Sequence, residues 1–445
     1  MQTMQRTLIA DTSKKIGEKV EISGWVDTKR DHGKITFIDV HDYTGTVQIV
    51  GAGEAIASLK PQYVVKVEGT VQKRPPQMVN KKIKTGEIEI KSHKLEVLAK
   101  SQELPFDMGA ETLGLELPTL LDFRSLTLRH PKVKAIFKVQ AKVLEGFRIA
   151  AQEIGCTEIV IPTIAVSATE GGAEVFKVDY YGRSAYLTQS PQLYKQMLIP
   201  VFERVFTVTK AYRAEPSVTT RHLSEVTQMD CEIGFVDFND LLDLLEKVAC
   251  QTIKYAESES KEDLDSLGHK KIAFGKIPRL TLREAQEIIK KEFKRDNTKE
   301  KDLTPQDETD LCRWAAGIHK SDFVTVTHFP TAAKPFYTEP DSENPKLSLS
   351  YDLLFRGVEV ASGSQRINDY GELLASIKSR GMNPGDFEMY LMAFKYGMPP
   401  EGGFSFGAER ITMNILGLSN IREASLFPRD MDRVDIRLSK VEKPK

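Results

Sequence analysis

Charged residues in the segment 212–232 are spaced in a way that suits the activation of a carboxylate by ATP. Tyr212-Arg213-Ala214-Glu215 is followed by Arg221-His222 and then by Gln228-Met229-Asp230-Cys231-Glu232. An arginine fits the phosphate of an in-line displacement because its planar guanidinium binds two oxygens and stays charged. A glutamate can accept a hydrogen bond from an adenine amino group. An R-x-E motif alone is more often a solvated ion pair, so the surrounding elements must decide.

The flanking residues predict that these charges lie on a β-hairpin. Residues 205–209 are apolar and β-branched, as in a buried strand. Residues 215–220 have the composition of a polar turn, and residues 225–235 read as a returning strand. The hairpin therefore presents Arg213 and Glu215 next to a basic loop.

A second hairpin is predicted around Arg356-Gly357. Asp352 and Glu359 are seven positions apart, which along one straight strand would place them on opposite faces, whereas a hairpin makes them neighbours. With Ser362 they would form a hard oxygen site of the kind that Mg²⁺ prefers. Two acids in a hairpin are nevertheless more often surface charges when nothing else supports a site.

Composition limits the class of protein. The chain has 445 residues, 40% of them hydrophobic and 28% charged, with a net charge of −1, which predicts a soluble protein of two or three domains. None of its four cysteines is spaced as C-x-x-C, so a disulfide framework or a thiolate zinc site is not expected. Because no stretch approaches the ~18 apolar residues of a membrane span, we expect a cytoplasmic protein with no membrane segment.

Residues 1–105 are predicted to form a small closed barrel. About five short alternating segments recur between residues 19 and 98, as in an OB-fold that binds single-stranded nucleic acid. Phe37 and Trp25 could stack on bases, although an aromatic in such a strand is more often core.

The remaining chain is predicted to form a hinge and a larger domain. Residues 106–130 break the strand pattern, and residues 131–445 begin with a helix at Pro131 and then alternate strands with helices. Neither a P-loop nor a dinucleotide fingerprint occurs, so ATP would have to bind through the charged hairpin. Residues 256–320 are charged and helix-prone, and we interpret them as a peripheral helical insertion without a chemical role.

Three of these segments resemble the motifs of class II aminoacyl-tRNA synthetases. The 212–232 hairpin resembles their motif 2, Gly407-Ala408-Glu409-Arg410-Ile411 resembles motif 3, and residues 155–162 resemble motif 1. Within the class, residues 188–196 and 168–172 are similar to the aspartate enzymes of the compact archaeal and eukaryotic type. The resemblance covers essentially the whole chain.

The resemblance implies an α+β fold, in which an N-terminal OB-fold barrel precedes a catalytic domain with an antiparallel sheet flanked by helices. It implies ATP and L-aspartate as substrates, Mg²⁺ as cofactor, tRNA(Asp) as partner, and a homodimer with the motif 1 proline at its interface. The sequence leaves open whether tRNA(Asn) is charged too.

The resemblance also assigns roles to individual residues. Arg213 would bind the α-phosphate and Arg410 the γ-phosphate, and these two are the candidate catalytic residues. The other nucleotide contacts would be Glu215, Arg221, His222, Glu359 and Gly407. The metal would be held by Asp352, Glu359 and Ser362. Aspartate would be bound by Glu170, Gln192, Lys195, Asp230, Ser362 and Arg366, with Lys195 and Arg366 on its side-chain carboxylate. The anticodon would be read by Arg30, Phe37 and Gln48, and Trp25 is interpreted as core.

One position departs from the family. Many class II enzymes carry an aromatic that sandwiches adenine where this chain has Val226, and Phe235 is a possible substitute. Three alternatives to the aspartate enzyme remain: the asparagine synthetase of the same subclass, a synthetase-like regulatory protein, and a free-standing nucleic-acid-binding barrel. Lys195 disfavours the first, the presence of both Arg213 and Arg410 disfavours the second, and the third explains only the first hundred residues.

Overall fold

The computed structural model describes residues 5–166, 174–216 and 219–440. It divides into two compact units, Met1–Gly114 and Leu115–Lys445, so one boundary falls inside the segment predicted to be a hinge. In the described residues, no helix has the length and apolar character needed to cross a membrane.

The first unit is the closed barrel that strand alternation predicts. Its strands are ordered β1-β2-β3-β5-β4 around the barrel, with the bounds β1 (Lys19–His32), β2 (Ile35–His41), β3 (Thr46–Gly51), β4 (Val64–Lys73) and β5 (Ile88–Ala99), and with a short helix, α1 (Glu54–Ala57), before β4. Alternate apolar residues point inward, and the core includes Val20, Ile22, Ile38, Val65 and Val67. Gly24 is required where β1 crosses β2, because a Cβ there would lie 2.2 Å from the carbonyl oxygen of His41.

The second unit is built on an eight-stranded sheet with the order β12-β13-β14-β15-β16-β11-β10-β6. The strands of this unit are β6 (Thr157–Glu158), β7 (Ile164–Ala165), β8 (Lys177–Tyr180), β9 (Arg183–Leu187), β10 (Arg204–Tyr212), β11 (Glu225–Gly234), β12 (Arg279–Thr281), β13 (Phe323–Thr327), β14 (Ser350–Phe355), β15 (Val358–Gln365) and β16 (Glu401–Gly407). The six strands from β13 to β10 are antiparallel to their neighbours within that run, and the edge strands β12 and β6 pair in parallel. Strands β7, β9 and β8 form a separate small sheet.

Helices pack on the large sheet. Their bounds are α2 (Leu117–Asp122), α3 (Arg124–Thr127), α4 (Pro131–Glu153), α5 (Gln192–Met197), α6 (Ile199–Phe202), α7 (Phe238–Glu259), α8 (Lys261–Ser266), α9 (Leu282–Phe293), α10 (Pro305–Ile318), α11 (Tyr370–Ser379), α12 (Glu388–Lys395) and α13 (Ala408–Leu416). Short 3-10 helices cover Ile9–Lys14, Pro76–Met78, Thr331–Ala333, Pro384–Phe387, Ile421–Ala424 and Leu438–Lys440. Helix α4 begins at Pro131 as predicted, and its apolar face enters the main core with Val139, Val143 and Phe147. The α+β prediction, with a barrel followed by an antiparallel sheet flanked by helices, is confirmed.

Residues 256–320 differ from their prediction. They contain helices, but Arg279–Thr281 is also the edge strand of the large sheet, paired with Thr325–Thr327. The segment is therefore part of the sheet architecture, and it is not a purely helical appendage.

Candidate active site

The chemistry-bearing side chains lie on one face of three adjacent strands, β11, β15 and β16. In β11, Met229, Cys231 and Ile233 belong to the apolar core beneath α4 and α7. Their neighbours Asp230 and Glu232 must then lie on the opposite face, because side chains alternate along a strand. Asp230 and Ser405 are register partners, as are Ser405 and Ser362. A polar surface thus crosses the centre of a sheet whose other face is apolar.

Two adjoining cavities open on this polar face. The first is lined by both ends of the motif 2 hairpin and by the motif 3 helix, with Arg213, Glu215, Arg221, His222, Glu359, Gly407 and Arg410 among its residues. The second is lined by residues that include Gln192, Lys195, Asp230, Lys334, Ser362 and Arg366. Four residues line both cavities: Arg213, Gln228, Ser362 and Ser405. The structure therefore places Arg213 where the two cavities meet.

A β-bulge brings the candidate metal ligands onto the same face. Glu359 and Ser362 are three positions apart along β15, a spacing that would point them to opposite sides of a regular strand. The register between β14 and β15 shifts at Val360: Leu353 pairs with Ala361, while Leu354 pairs with Glu359. The extra residue restores Glu359 to the face on which Asp352 and Ser362 are direct partners.

Asp352 is the most buried of the candidate metal ligands. Burial and the nearby charge of Glu359 raise its pKa to about 6, although Lys334 and the Ser362 hydroxyl favour the ionised form. Lys334 Nζ lies 3.2 Å from one Asp352 carboxylate oxygen, a contact that the sequence did not indicate. The donor set is two carboxylates and a hydroxyl, which suits Mg²⁺ completed by phosphate and water. The described residues contain no group of three His, Cys, Asp or Glu side chains that could hold a metal without such additional ligands.

Each of the three arginines that line the first cavity has different partners. Arg213 is half-exposed, with its guanidinium 3.8 Å from the Glu215 carboxylate. Arg410 Nη1 donates to the backbone oxygen of Glu359 at 2.9 Å and lies 3.4 Å from its carboxylate. Both arginines therefore line the cavity, and Arg410 lies next to Glu359, one of the predicted metal ligands.

Arg221 has partners that the sequence did not reveal. Its guanidinium donates to Glu308 Oε2 at 2.9 Å and to the backbone oxygen of Gly357 at 3.0 Å. The same Glu308 oxygen accepts from the backbone N–H of Glu359 at 3.1 Å. Glu308 lies in α10, inside the segment predicted to have no chemical role, and its contacts place it next to the first cavity.

Apolar side chains provide one wall of the first cavity. Leu223, Val226 and Ile421 line it, and Leu223 and Ile421 belong to a small core cluster against which Val226 packs. Phe235 is not part of this wall: it follows the far end of β11, nine residues and roughly 30 Å from Val226 at the usual rise of a strand. The prediction that Phe235 could replace the missing aromatic is wrong.

A buried ionic cluster forms the floor of the second cavity. Lys195 Nζ lies 2.9 Å from Asp230 Oδ2 and 2.9 Å from Glu232 Oε2. Arg366 Nε donates to Glu232 Oε1 at 2.8 Å, and Arg366 Nη2 donates to Gln192 Oε1 at 3.1 Å. Burial opposes ionisation of Glu232, but Arg366 and Lys195 outweigh it and hold the pKa of this carboxyl below its usual range.

Glu232 corrects the predicted pocket. The sequence pattern suggested that Lys195 and Arg366 face a substrate carboxylate alone, whereas the structure places the Glu232 carboxylate between them. A Cβ at Gly403 would lie 2.1 Å from Glu232 Oε2, so the glycine makes room for this carboxylate. The i, i+2 spacing of Asp230 and Glu232 on a predicted strand was the signal that could have revealed it.

The barrel brings its predicted residues onto one outer face. Arg30 and Phe37 are cross-strand partners, and Arg30 Nη2 donates to Gln48 Oε1 at 3.2 Å and to Asp39 Oδ2 at 3.1 Å. Gln48 is itself buried and donates to Glu89 Oε2 at 2.8 Å. Phe37 is half-buried, next to a polar network of two further residues that the sequence did not single out.

Trp25 is not a core residue of the barrel, so its interpretation as core is wrong. Its side chain is 38% exposed and stacks on His41 with ring centroids 5.6 Å apart. Glu170, predicted to lie near the substrate ammonium in a loop with Gly171 and Gly172, falls outside the described residues.

Comparison with known proteins agrees with this geometry. The profile of class II tRNA synthetases (D, K and N) matches residues 116–431, and the profile of OB-fold nucleic acid binding domains of the anticodon type matches residues 20–98. The chain belongs to the class II tRNA synthetases of the D, K and N group. The sequence resemblance is therefore confirmed, and ATP is the nucleotide that such an enzyme consumes.

Two relatives and one solved structure show where this synthetase stands within the group. It is 40% identical to the aspartate–tRNA(Asp/Asn) ligase of Thermus thermophilus, over 96% of this chain and 99% of that protein. It is 38% identical to the aspartate–tRNA(Asp) ligase of Pyrococcus horikoshii, over 94% of this chain and 96% of the relative. The crystal structure of the asparaginyl-tRNA synthetase of Pyrococcus horikoshii with asparaginyl-adenylate superimposes with a TM-score of 0.88, at 31% identity, over 97% of this chain and 100% of that one.

Proposed function

We propose that this synthetase activates L-aspartate with ATP and transfers the aspartyl group to the 3′ end of tRNA(Asp). The observation that carries the proposal is the pair of buried cations, Lys195 and Arg366, in a cavity that joins the nucleotide cavity at Arg213. The names of the aspartate relatives, at 38–40% identity over most of the chain, support the same substrate.

The cluster still has hydrogen-bond donors for a substrate carboxylate. Within the described residues, Lys195 uses two of its three N–H groups, on Asp230 and Glu232. Arg366 Nη1 carries two N–H groups and donates one of them to Ser364 Oγ at 2.6 Å. One N–H of each cation therefore remains to bind the side-chain carboxylate of aspartate. A neutral side-chain amide could form hydrogen bonds with these donors, but it would lack the ion pairs that the carboxylate of aspartate forms with the two cations.

The other residues of the two cavities are proposed to act by holding the substrates in place and by compensating their charges. Arg213, at the junction, would bind the α-phosphate while the substrate carboxylate attacks its phosphorus in line and displaces pyrophosphate, and Arg410 would bind the γ-phosphate within that leaving group. Glu215 would accept from the adenine amino group, and Asp230 and Gln192 would surround the substrate ammonium. Asp352, Glu359 and Ser362 would hold Mg²⁺, which when bound neutralises crowded phosphate oxygens. Transfer needs no protein base, because an adenylate phosphate oxygen can accept the proton of the ribose hydroxyl.

Assembly and tRNA recognition complete the proposal. We expect a homodimer, since Val160 of motif 1 (98%) and Val166, four residues beyond that motif (83%), are both exposed. We expect the Arg30, Phe37 and Gln48 face of the barrel to bind the anticodon. We also expect a cytoplasmic enzyme, in keeping with four cysteines that are all free.

Pyrophosphate exchange into ATP tests the amino acid assignment, with aspartate and asparagine compared on one preparation. Aspartate should support exchange and asparagine should not; exchange with asparagine alone would contradict the proposal. Charging of purified tRNA(Asp) and tRNA(Asn) then defines the tRNA range, because the relatives named for tRNA(Asp/Asn) and for tRNA(Asp) differ little in identity to this chain, at 40% and 38%.

A further inference from the structure

Glu401, the first residue of β16, lies behind the ionic cluster and is fully buried. Its Oε1 accepts a hydrogen bond from Gln196 Nε2 at 2.6 Å. Gln196 Oε1 accepts in turn from the Tyr390 hydroxyl at 3.0 Å, which fixes the amide so that its nitrogen faces Glu401. Glu401 is thus held at a defined position, although none of these neighbours carries a positive charge.

The second carboxyl oxygen of Glu401 lies beside another acid. Oε2 is buried and receives no hydrogen bond from any donor in the described residues. Glu232 is close by on the neighbouring strand, because its register partner Gly403 is two residues from Glu401 on the same face of β16. Two carboxylate anions buried side by side repel each other, whereas a proton on one of them supplies a hydrogen-bond donor to the other. Lys195 and Arg366 both pair with Glu232 and favour its ionised form, so Glu401 is the carboxyl that is favoured to bind the proton.

We propose that Glu401 is a positioning residue that determines amino acid specificity: as an uncharged acid it donates a hydrogen bond to Glu232 and holds that carboxylate between Lys195 and Arg366. The inference deepens the proposed function and rests on it. With Glu401 uncharged, the two cations balance Asp230 and Glu232, so the empty cluster has no net charge.

The net charge of the empty cluster determines how readily the side-chain carboxylate of aspartate can bind there. Aspartate brings one more anion to the cluster than asparagine does, together with the same ammonium. If Glu401 were ionised, the cluster would carry a net negative charge before the substrate arrived, and its low-dielectric surroundings would strengthen the repulsion. Glu401 would thereby favour aspartate without contacting it.

The charged and titratable groups that face Glu401 come from several elements. They are Glu232 from β11, Arg366 after β15 and Tyr390 from α12, and Lys195 from α5 pairs with Glu232. Burial, followed by the charge of Glu232, raises the pKa of Glu401 well above its usual range, against the opposing effect of Arg366. Burial also raises the pKa of Tyr390, and Lys195 stays charged because Asp230 and Glu232 outweigh its burial.

The test compares Glu401→Gln with Glu401→Met in aspartate-dependent pyrophosphate exchange. Glutamine keeps the shape and an N–H donor toward Glu232, whereas methionine keeps only the length. We expect Glu401→Met to raise KM for aspartate about tenfold with KM for ATP changed less than about twofold, and Glu401→Gln to recover most of that loss. Asp307→Leu, which removes another fully buried acid far along the chain in α10, controls for general destabilisation: it should lower the thermal midpoint and leave KM for aspartate in place.

The pH dependence gives a second readout that a purely structural role would not change. In the wild type, KM for aspartate should rise at alkaline pH as Glu401 ionises, and in Glu401→Gln this rise should be absent. The inference is overturned if Glu401→Gln raises KM as much as Glu401→Met does, or if both variants have the wild-type pH profile. If the wild type itself shows no exchange with aspartate, the proposed function fails and not the role of Glu401 alone.

Discussion

Replacement of Lys195 by methionine tests the amino acid pocket most directly. The change keeps the length of the side chain and removes a charge that lies 2.9 Å from both Asp230 and Glu232. With aspartate bound, three carboxylates would then face the guanidinium of Arg366 alone. Breaking a buried ion pair costs about 3 to 5 kcal/mol, and protonation of Asp230 can relieve part of this. We expect a loss of about 3 kcal/mol in kcat/KM for aspartate, or roughly 150-fold.

The assay is aspartate-dependent pyrophosphate exchange, with KM for ATP measured on the same preparation. Lys138→Met is the matched control, because it removes an exposed lysine 3.3 Å from Asp263 on the surface of α4. That variant should retain wild-type exchange, since exposed ion pairs contribute less than about 1 kcal/mol. If Lys195→Met stays within threefold of the wild type in kcat/KM for aspartate, the assignment of the second cavity is wrong.

Three further predictions concern other parts of the molecule. Phe37→Ala should lower kcat/KM for tRNA charging by about tenfold to a hundredfold, the worth of one stacked base, with pyrophosphate exchange intact; a folded variant with normal charging would refute the anticodon assignment. Val160→Glu should yield monomers in light scattering at micromolar concentration, whereas Tyr43→Glu, which alters an exposed aromatic of the barrel, should stay dimeric; a dimeric Val160→Glu would contradict the motif 1 interface. Burial and Glu372 raise the pKa of Glu339 to about 7, so the folded protein loses stability as pH rises from the unfolded pKa of 4.5 through 7. Glu339→Gln should therefore raise the thermal midpoint at pH 8 and not at pH 4, by an amount equivalent to about 1 kcal/mol after allowance for solvent screening.

The sequence predicted those parts of the fold that local patterns control. Alternation of apolar residues located the barrel, and Pro131 with a helical apolar face located α4. The hairpins around residues 215–220 and Arg356-Gly357 also follow from local turn chemistry. These features are short-range, so one sequence is enough to recognise them.

Contacts between distant segments could not be predicted in the same way. Arg221 and Glu308 are 87 residues apart, and nothing local to either residue indicates that they pair. Glu401 and Gln196 are 205 residues apart in the sequence, and they are in contact because the fold brings strand β16 next to helix α5. The interpretation of Trp25 as core is wrong because a barrel strand also has an outer face, which an aromatic side chain can occupy as readily as the inner one.

The bulge at Val360 also limits how this enzyme can change during evolution. Deletion of one residue from β15 would return the strand to a regular register and turn either Glu359 or Ser362 away from Asp352. Substitutions in the hairpin can be accepted one at a time, but a change of length by one residue rearranges every side chain beyond it. We therefore expect related synthetases to vary the residues of this hairpin while they keep the number of residues between the two acids at six.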